Sequence, residues 1–339
     1  MNAPHPSIPV EIGLTAAIVA VRADTPLILV ARGAQDGAAA ALPSGPFDPV
    51  NHRTFEIGLR LWVAEQTGAP VGYVEQLYTF GDRGRQSRAE TRDPHEVSVG
   101  YLALTRVRGD GPSKDARLTT GLGQAIAPGA GFREWYRFFP WEDWRQGRPD
   151  LLDSTIMPAL RAFVSRGEGR ELKRGVTRAE RVRTLFGDEG ERFDEENVLD
   201  RYELLYEAGA VAESVRDGRQ PAPGFGEHPP LGEHLQADHR RILATAMGRL
   251  RAKLKYRPVI FELMPENFTL TELQTTVEAI SGRHLHKQNF RRLVESSAVV
   301  EATGQMSHAT GGRPAALFRF RREVLQERPA PGLRVGIRG

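Results

Sequence analysis

From Ile12 to Arg32 the chain alternates and clusters apolar residues: Ile12, Leu14, Ala17, Ile18, Val19 and Val21, then Leu27 to Val30. The polar break Arg22-Ala-Asp-Thr-Pro26 divides them into a hairpin. Phe55, Leu59, Trp62 and Val63 recur at helical spacing, and Thr67-Gly68 ends that helix. Val74–Phe80 and Val97–Val107 predict strands on either side of a charged loop, Asp82 to Glu96, and the aromatic-rich Phe132–Pro140 predicts another. Leu152, Ile156, Leu160 and Phe163 predict a helix over Leu151–Ser165, and Val176–Phe186 and Asp194–Ala208 predict two amphipathic helices. Arg219–Gly232, with four prolines and three glycines, reads as a linker. Beyond it Ile242, Leu243, Ala246, Leu250 and Leu254 predict a helix over His239–Leu254, and Tyr256–Pro265 predicts a short strand. No internal repeat is present.

The stretch Phe268–Phe320 has a pattern of its own: helix (Phe268-Thr-Leu-Thr-Glu-Leu-Gln274), short turn, helix (Arg283–Val294), then two strands around Gly311-Gly-Arg-Pro314. In the second helix Leu285, Phe290, Leu293 and Val294 gather near one face. Lys287, Gln288, Asn289 and Arg291, and with a tilt His284 and Arg292, point elsewhere. That is how a winged helix-turn-helix presents itself to a major groove. An arginine fork can bond guanine and a side-chain amide can bond adenine, while Lys287 and the remaining arginines suit phosphates. Thr269, or Thr271, is placed to cap the preceding helix, leaving backbone N–H groups near a phosphate. Arg313 sits at the expected wing tip, within reach of the adjacent minor groove. The expected DNA contacts are therefore Thr269, His284, Lys287, Gln288, Asn289, Arg291, Arg292 and Arg313. The competing reading is a solvated basic helix docked on an acidic protein.

Composition narrows the class without choosing the function. The 339 residues favour two domains, and 40% apolar with 26% charged residues is ordinary for a soluble globular chain. No apolar run approaches the roughly 18–20 residues that span a bilayer, and Met1-Asn-Ala-Pro-His-Pro6 lacks the order of a signal peptide, so the expected location is cytoplasmic. The absence of cysteine excludes disulfides, thiolate metal sites and thiol nucleophiles. His228, His234 and His239 lack metal-ligand spacing, Gly121-Leu-Gly lacks the rest of a dinucleotide fingerprint, and no Gly-x-Ser-x-Gly elbow is present. A net charge of +3 does not demonstrate nucleic-acid binding, but its distribution is informative. Gly282–Leu325 holds eight Lys/Arg against three Glu, whereas Asp188–Glu207 holds nine acids against Arg192 and Arg201. The acidic helix Asp194–Ala208 is expected to make an interdomain or dimer contact with its acidic face solvated, at a position that suits a transmitting element, with mere packing as the competing account.

Phe261-Glu-Leu-Met-Pro-Glu-Asn-Phe-Thr-Leu-Thr-Glu-Leu-Gln274, with Lys287-Gln-Asn-Phe-Arg-Arg292 and Gly312-Arg-Pro-Ala315, closely resembles the C-terminal winged helix of Nudix-related transcriptional regulators of bacterial NAD biosynthesis. Upstream, Glu75–Asp82, an Arg-rich loop and Val97–Leu104 resemble Nudix domains of the ADP-ribose pyrophosphatase and regulator type. The resemblance implies an α+β chain: an N-terminal Nudix-like α/β/α sandwich (1–165), a helical connector with a Pro/Gly-rich linker (166–235), and a winged helix-turn-helix domain (236–329). It further implies a homodimer that binds palindromic double-stranded operator DNA and answers to an adenine nucleotide, with NAD, ADP-ribose and ATP as candidates. No cofactor is required, and a repressor is expected.

Working Nudix hydrolases carry Gly-x5-Glu-x7-Arg-Glu-U-x-Glu-Glu-x-Gly-U (U apolar), whose carboxylates hold Mg²⁺ on one helix face. With the closing glycine on Gly68, Leu61 takes the Arg position, Trp62 the first Glu of the final cluster, and Glu65 and Gln66 the paired Glu positions. Phe47 and Arg53 fall at the upstream Gly and Glu, although Gly45 is nearby. Glu65 is the one carboxylate that survives. Glu56, nine residues earlier, is about half a turn out of phase with it. No catalytic residue, no metal site and no efficient pyrophosphate hydrolysis are therefore expected, and the domain reads as a sensor. The alternative is a Mg²⁺-dependent Nudix hydrolase of a nucleoside diphosphate derivative with a regulatory tail. For the ligand, Arg32, Arg83 and Arg85 offer fixed positive charge to phosphates, and Tyr78 and Phe80 are placed either to stack on an adenine or to line the sheet.

Overall fold

The computed structural model describes residues 9–31, 39–82, 95–109, 118–120, 125–166, 175–187, 192–223, 225, 231–307 and 314–327. The elements run β1 (Val10–Arg22), β2 (Thr25–Ala31), β3 (Ser44–Pro46), α1 (Phe55–Thr67), β4 (Val74–Phe80), β5 (His95–Leu104), β6 (Val107–Gly109), β7 (Leu118–Thr120) and β8 (Ala130–Glu134). Then come α2 (Met157–Ser165), α3 (Arg178–Phe186), α4 (Val198–Ala208), α5 (Ala212–Arg216) and α6 (His239–Tyr256). The C-terminal part holds β9 (Asn267–Phe268), α7 (Leu270–Ser281), α8 (Lys287–Ser297), β10 (Val300–Ser307), β11 (Ala315–Phe320) and α9 (Val324–Glu327). Among the described residues no helix is long and apolar enough to cross a membrane.

Strand β1 organises the larger sheet, whose order is β4-β5-β1-β2-β8, with β3 also paired to β1. β1 runs parallel to β5 (Leu14 opposite Val99, Val19 opposite Leu104) and antiparallel to its hairpin partner β2. Because side chains alternate along a strand, β1 feeds two cores. Leu14, Ala16 and Ile18 meet Leu59 and Val63 of α1, whereas Ala17, Val19 and Val21 join a core with Ile242, Leu243 and Met247 of α6. The result is the expected α/β/α sandwich, but one of its outer layers comes from far along the chain. The apolar spacing of α6 puts Ile242, Ala246 and Leu250 on one stripe, every one fully buried. The same core continues through α2, α4, α7 and α8 to Val324, so the segments read as sensor, connector and DNA reader share one apolar interior.

Several expected elements differ in the structure. The strand expected over Val97–Val107 ends as β5 at Leu104, and Val107 opens β6 in a separate two-stranded sheet. The strand expected over Phe132–Pro140 ends with β8 at Glu134 and continues as 3₁₀ turns at Trp135–Arg137 and Pro140–Glu142. A strand would send half of its side chains outward, yet Trp135, Tyr136, Phe138, Phe139 and Trp141 are all buried. The strand expected over Tyr256–Pro265 is the end of α6 followed by a 3₁₀ turn, Val259–Glu262. Pro258 and Pro265 lack ladder donors, and Val259, Ile260 and Phe261 are buried in succession rather than alternately. The helix expected from Leu151 widens to a π turn over Leu152–Ile156 just before Pro158, which has no N–H for the regular ladder. The described ends of the expected linker are held in place as well: Ala222 and Leu231 are buried, and the Ala222 amide bonds the Gly209 carbonyl.

The deepest polar feature is a buried ion triad. Glu142, in the turn after β8, accepts two bonds from Arg201 of α4 (2.6 and 2.8 Å) and one from Arg251 of α6 (2.7 Å), all three side chains having no exposed surface. Burial pushes the Glu142 carboxyl upward, and the two guanidinium groups, Arg201 first, outweigh that and hold it below the usual carboxylate range. The leftover donors are satisfied by backbone carbonyls: Arg201 bonds Leu185 and Asp194, and Arg251 bonds Ile280, Glu195 and Glu142 itself. Nearby, the buried pair Arg240–Glu213 (3.2 Å) does the same for Phe138 and Leu231. The acidic segment is thus largely an internal partner set, with Glu203 on Arg241, Glu207 on Arg181 and Glu196 on Lys255.

At the start of α6 the His239 ring is buried and its Nδ1 accepts the Leu42 amide at 3.0 Å, which ties α6 to the segment before β3. Burial, and secondarily the charge of Arg216, pushes its pKa down from 6.5 to about 4.

Two outcomes follow from these buried groups. Glu142→Gln leaves two guanidiniums short of their counter-charge and is expected to cost about 3–5 kcal/mol of stability in urea unfolding; a loss below about 1 kcal/mol would contradict the triad as drawn. The depressed pKa of His239 gives stability that is complete above its unfolded value of 6.5 and is lost as pH falls toward 4. His239→Gln, which keeps an acceptor for Leu42, should therefore remove roughly 2–3 kcal/mol of the difference in unfolding free energy between neutral pH and about pH 4.5.

Candidate nucleic-acid interface

Helix α7 begins with a complete capping box. Thr269 Oγ1 accepts the Glu272 amide at 3.1 Å, and the Glu272 carboxylate accepts the Thr269 amide at 2.7 Å. Of the two expected cap candidates Thr269, not Thr271, takes the position, but Thr269 is nearly buried and its hydroxyl is spent on the helix. Gly282 closes α7 in the left-handed conformation at φ +72. Two α7 side chains then fix the turn: Glu278 accepts the Leu285 amide at 2.7 Å, and the Gln274 amide donates to the Leu285 carbonyl at 2.8 Å.

Helix α8 starts about one turn later than expected, at Lys287 after an N-cap at His286, and runs on to Ser297, so Arg283–His286 form the turn itself. Phe290 and Val294 are buried, with Leu285 and Leu293 half-buried beside them. Lys287, Gln288, Asn289, Arg291 and Arg292 are all exposed. At 100° per residue Gln288 and Arg292 lie opposite the buried pair, while Arg291 and Asn289 flank them. Arg292 also donates to Asn289 at 3.2 Å, and the exposed His284 ring lies 3.2 Å from Glu278. Behind the helix, β10 and β11 pair with a bulge between Ala302 and Met306, and β11 pairs with β9. Arg313 of the expected wing tip lies outside the described residues.

In the N-terminal layer, Arg32, Arg83 and Arg85 also lie outside the described residues. Tyr78 is 62% exposed and available to a ligand. Phe80 is 1% exposed: its ring packs on Gly100 under Ile242 and the Arg241 guanidinium lies over it at 5.2 Å, so it belongs to the core rather than to a ligand face. The α1 face that would carry a Mg²⁺ cluster is closed. Gln66 donates to the Ser44 carbonyl at 2.6 Å and accepts the Ser44 amide at 3.1 Å, as a neighbouring strand would. Trp62 donates to the Pro46 carbonyl at 2.9 Å and lies over Gly45, where any Cβ would run into its ring. Glu65 is exposed, and Glu56 is paired with Arg60 at 2.9 Å. A lone carboxylate, a spent amide and an indole do not fit a divalent cation. Among the described residues the one carboxylate group close enough to share a cation is Asp194-Glu195-Glu196, on which Lys255 and Arg283 already sit.

Residues 260–320 match the NrtR DNA-binding winged helix domain. They form an NrtR-type winged helix. A curated relative, the ADPR responsive transcriptional repressor NtrR of Acinetobacter baylyi, is 48% identical over 86 residues, which are 25% of this chain and 34% of that protein. The chain thus spans about a third of the length of the curated relative it matches. Two solved structures extend the likeness to nearly the whole chain. Shewanella oneidensis NrtR complexed with a 27mer DNA matches with a TM-score of 0.52 at 18% identity, covering 93% of this chain and 95% of that one. Shewanella oneidensis NrtR without DNA matches with a TM-score of 0.51 at 18% identity, covering 92% and 94%. The fold is therefore that of NrtR: a Nudix-like sandwich, a helical connecting segment and a C-terminal winged helix.

What sequence reading missed in this NrtR fold is the set of residues behind the interface. Arg283 is expected at the start of the second helix, and no role is expected for Gly282, Trp144 or the Glu142 triad. The run Pro140-Trp-Glu-Asp-Trp144 has one faint signal, a carboxylate enclosed by aromatics. Nothing in sequence marks which distant arginines meet it.

The closed box makes a prediction of its own. Gln66→Ala removes both bonds to Ser44 and should cost about 1–3 kcal/mol in thermal or urea unfolding. Gln66→Glu, the residue a hydrolase would carry, keeps an acceptor but loses the donor, so its loss should be intermediate. Equal stability of all three would show that these bonds do not hold β3.

Proposed function

We propose that this chain is a ligand-responsive transcriptional repressor of NAD-metabolism genes, active as a homodimer, that binds operator DNA through α8 and an adenine nucleotide through its Nudix-like layer. The observation that carries this reading is an NrtR-type winged helix whose exposed recognition face is built on the same core as a Nudix-like sandwich with a closed metal face. ADP-ribose is the first effector to test, since the Acinetobacter baylyi relative is ADPR responsive; NAD and ATP follow. Arg291, Gln288 and Asn289 are the proposed base readers. Lys287, Arg292 and His284 are proposed on phosphates, with Arg313 in the neighbouring groove. Tyr78, Arg32, Arg83 and Arg85 are the proposed nucleotide contacts. Two linked chains would set two recognition helices on half-sites about one helical turn apart. The Nudix-like layer is proposed to bind without hydrolysing, and the protein to work in the cytoplasm.

The test is a mobility shift on duplexes selected by the wild-type chain from a random-sequence pool. Arg291→Ala is expected to weaken binding by about 1–3 kcal/mol and relax specificity at one position. Lys287→Ala should weaken it evenly across sequences and reduce the salt slope by about 1. ADP-ribose should change the wild-type affinity. Selection of no duplex at moderate salt would sink the DNA reading. Release of AMP from ADP-ribose with Mg²⁺ at a rate on the order of 1 per second would return the domain to the hydrolases.

A further inference from the structure

The turn between α7 and α8 is not free on the surface of the winged helix. The Trp144 amide donates to the Gly282 carbonyl at 2.7 Å, and Trp144 and Arg283 form a parallel bridge. Tyr136 donates to the Ala279 carbonyl at 2.8 Å, and Arg251 donates to that of Ile280 at 3.0 Å. A Cβ on Gly282 would lie 2.5 Å from the Glu142 carbonyl, 2.8 Å from Arg251 Nη2 and 2.9 Å from the Tyr136 hydroxyl, so only glycine lets the sandwich approach this closely. The Arg283 side chain crosses the joint in the other direction. It donates to the Phe193 carbonyl, lies 3.6 Å from Glu195, and sits over the rings of Trp144 (5.8 Å) and Phe193 (5.7 Å), which themselves pack at 4.4 Å.

This joint has a short route at each end. Residues 135–144 continue directly from β8, the edge strand paired with β2, and Arg145 reaches back to the Asp24 carbonyl in the β1–β2 turn. On the other side Lys287, the first residue of α8, is four positions after Arg283. The turn has no slack, because Glu278 and Gln274 already hold Leu285. A shift of the β8 edge therefore has to be absorbed where Trp144 meets Gly282 and Arg283, immediately before the recognition helix.

We propose that Arg283 is a positioning residue for DNA binding: packed against the paired rings of Trp144 and Phe193 and bonded to the Phe193 carbonyl, it transmits the nucleotide-bound state of the sandwich to the start of α8. This inference rests on the regulatory reading given above. Its physical content is a coupling free energy between two sites, which works in both directions.

The experiment measures DNA affinity of the full chain, with and without nucleotide, for wild type, Arg283→Ala and Arg283→Lys, using a duplex selected by the wild type. The nucleotide is whichever of ADP-ribose, NAD and ATP changes wild-type affinity most. If the wild type responds within the usual range of about 5- to 150-fold, Arg283→Ala should respond by less than about twofold, with nucleotide affinity in the absence of DNA unchanged by calorimetry. Arg283→Lys, which keeps the charge but lacks the planar fork, should also lose most of the response. A wild-type response in Arg283→Ala overturns the inference and leaves the regulatory reading standing. A wild type that binds no DNA, or responds to none of the nucleotides, overturns both. Should either variant fail to fold, hydrogen exchange of the wild-type Trp144 amide decides: its rate must change on nucleotide addition, and an unchanged rate overturns the inference.

Discussion

A single buried carboxylate joins the parts of this molecule that sequence separates. Glu142 follows the edge strand of the sandwich, Arg201 lies on the connector helix α4, and Arg251 lies on α6, beneath the end of α7. Desolvating three charges is expensive, and attraction alone rarely repays it. Here the remaining guanidinium donors are met by the carbonyls of Leu185 near the end of α3, Asp194 and Glu195 just before α4, and Ile280 near the end of α7, which belong to three different chain segments. An apolar replacement could fill the same volume but could not bond those carbonyls. The triad therefore acts less as a source of stability than as a fixture that sets where the helix ends sit relative to one another.

That arrangement explains why α6 reads in sequence as the first helix of a DNA-binding domain and packs in the structure as an outer layer of the sandwich. Its apolar stripe faces β1, β4 and β5, while its arginines reach back to Glu142 and Glu213. A helix serving both units leaves no plane along which the winged helix could swing freely. Any motion that reaches α8 must pass through packed groups with discrete arrangements, which is how small shifts at one site become usable at another.

Local features of the chain were legible and distant pairings were not. The β1–β2 hairpin, α1, β4 and the helix-turn-helix all follow from apolar spacing and from caps such as Thr269–Glu272, because these depend on neighbours in sequence. The degenerate box was legible as a list of wrong residues, yet not the reason the face is closed, since Gln66 and Trp62 bond a strand 22 and 16 residues earlier that no pattern predicts. The strands expected at Phe132–Pro140 and Tyr256–Pro265 failed for a related reason. Continuous apolar runs say that a segment is buried but not in what geometry, and here 3₁₀ turns bury every ring where a strand would expose half.

Charge is where counting misleads most. The eight basic residues between Gly282 and Leu325 suggest a broad cationic surface. In the structure Arg283 is clamped in the joint, Arg319 is paired with Glu301 at 2.6 Å, and Arg321 is half-buried with its guanidinium on the Ala298 carbonyl. The exposed cations of α8 are Lys287, Arg291 and Arg292, beside Gln288 and Asn289. Counterion release scales with the phosphates actually neutralised, not with the lysines and arginines in a segment. A recognition helix with few free cations beside two amides leans on base contacts and on its exact placement in the groove for a larger share of its binding. A reader of that kind is sensitive to small changes in its own orientation, which is the property that the repressor proposed above needs.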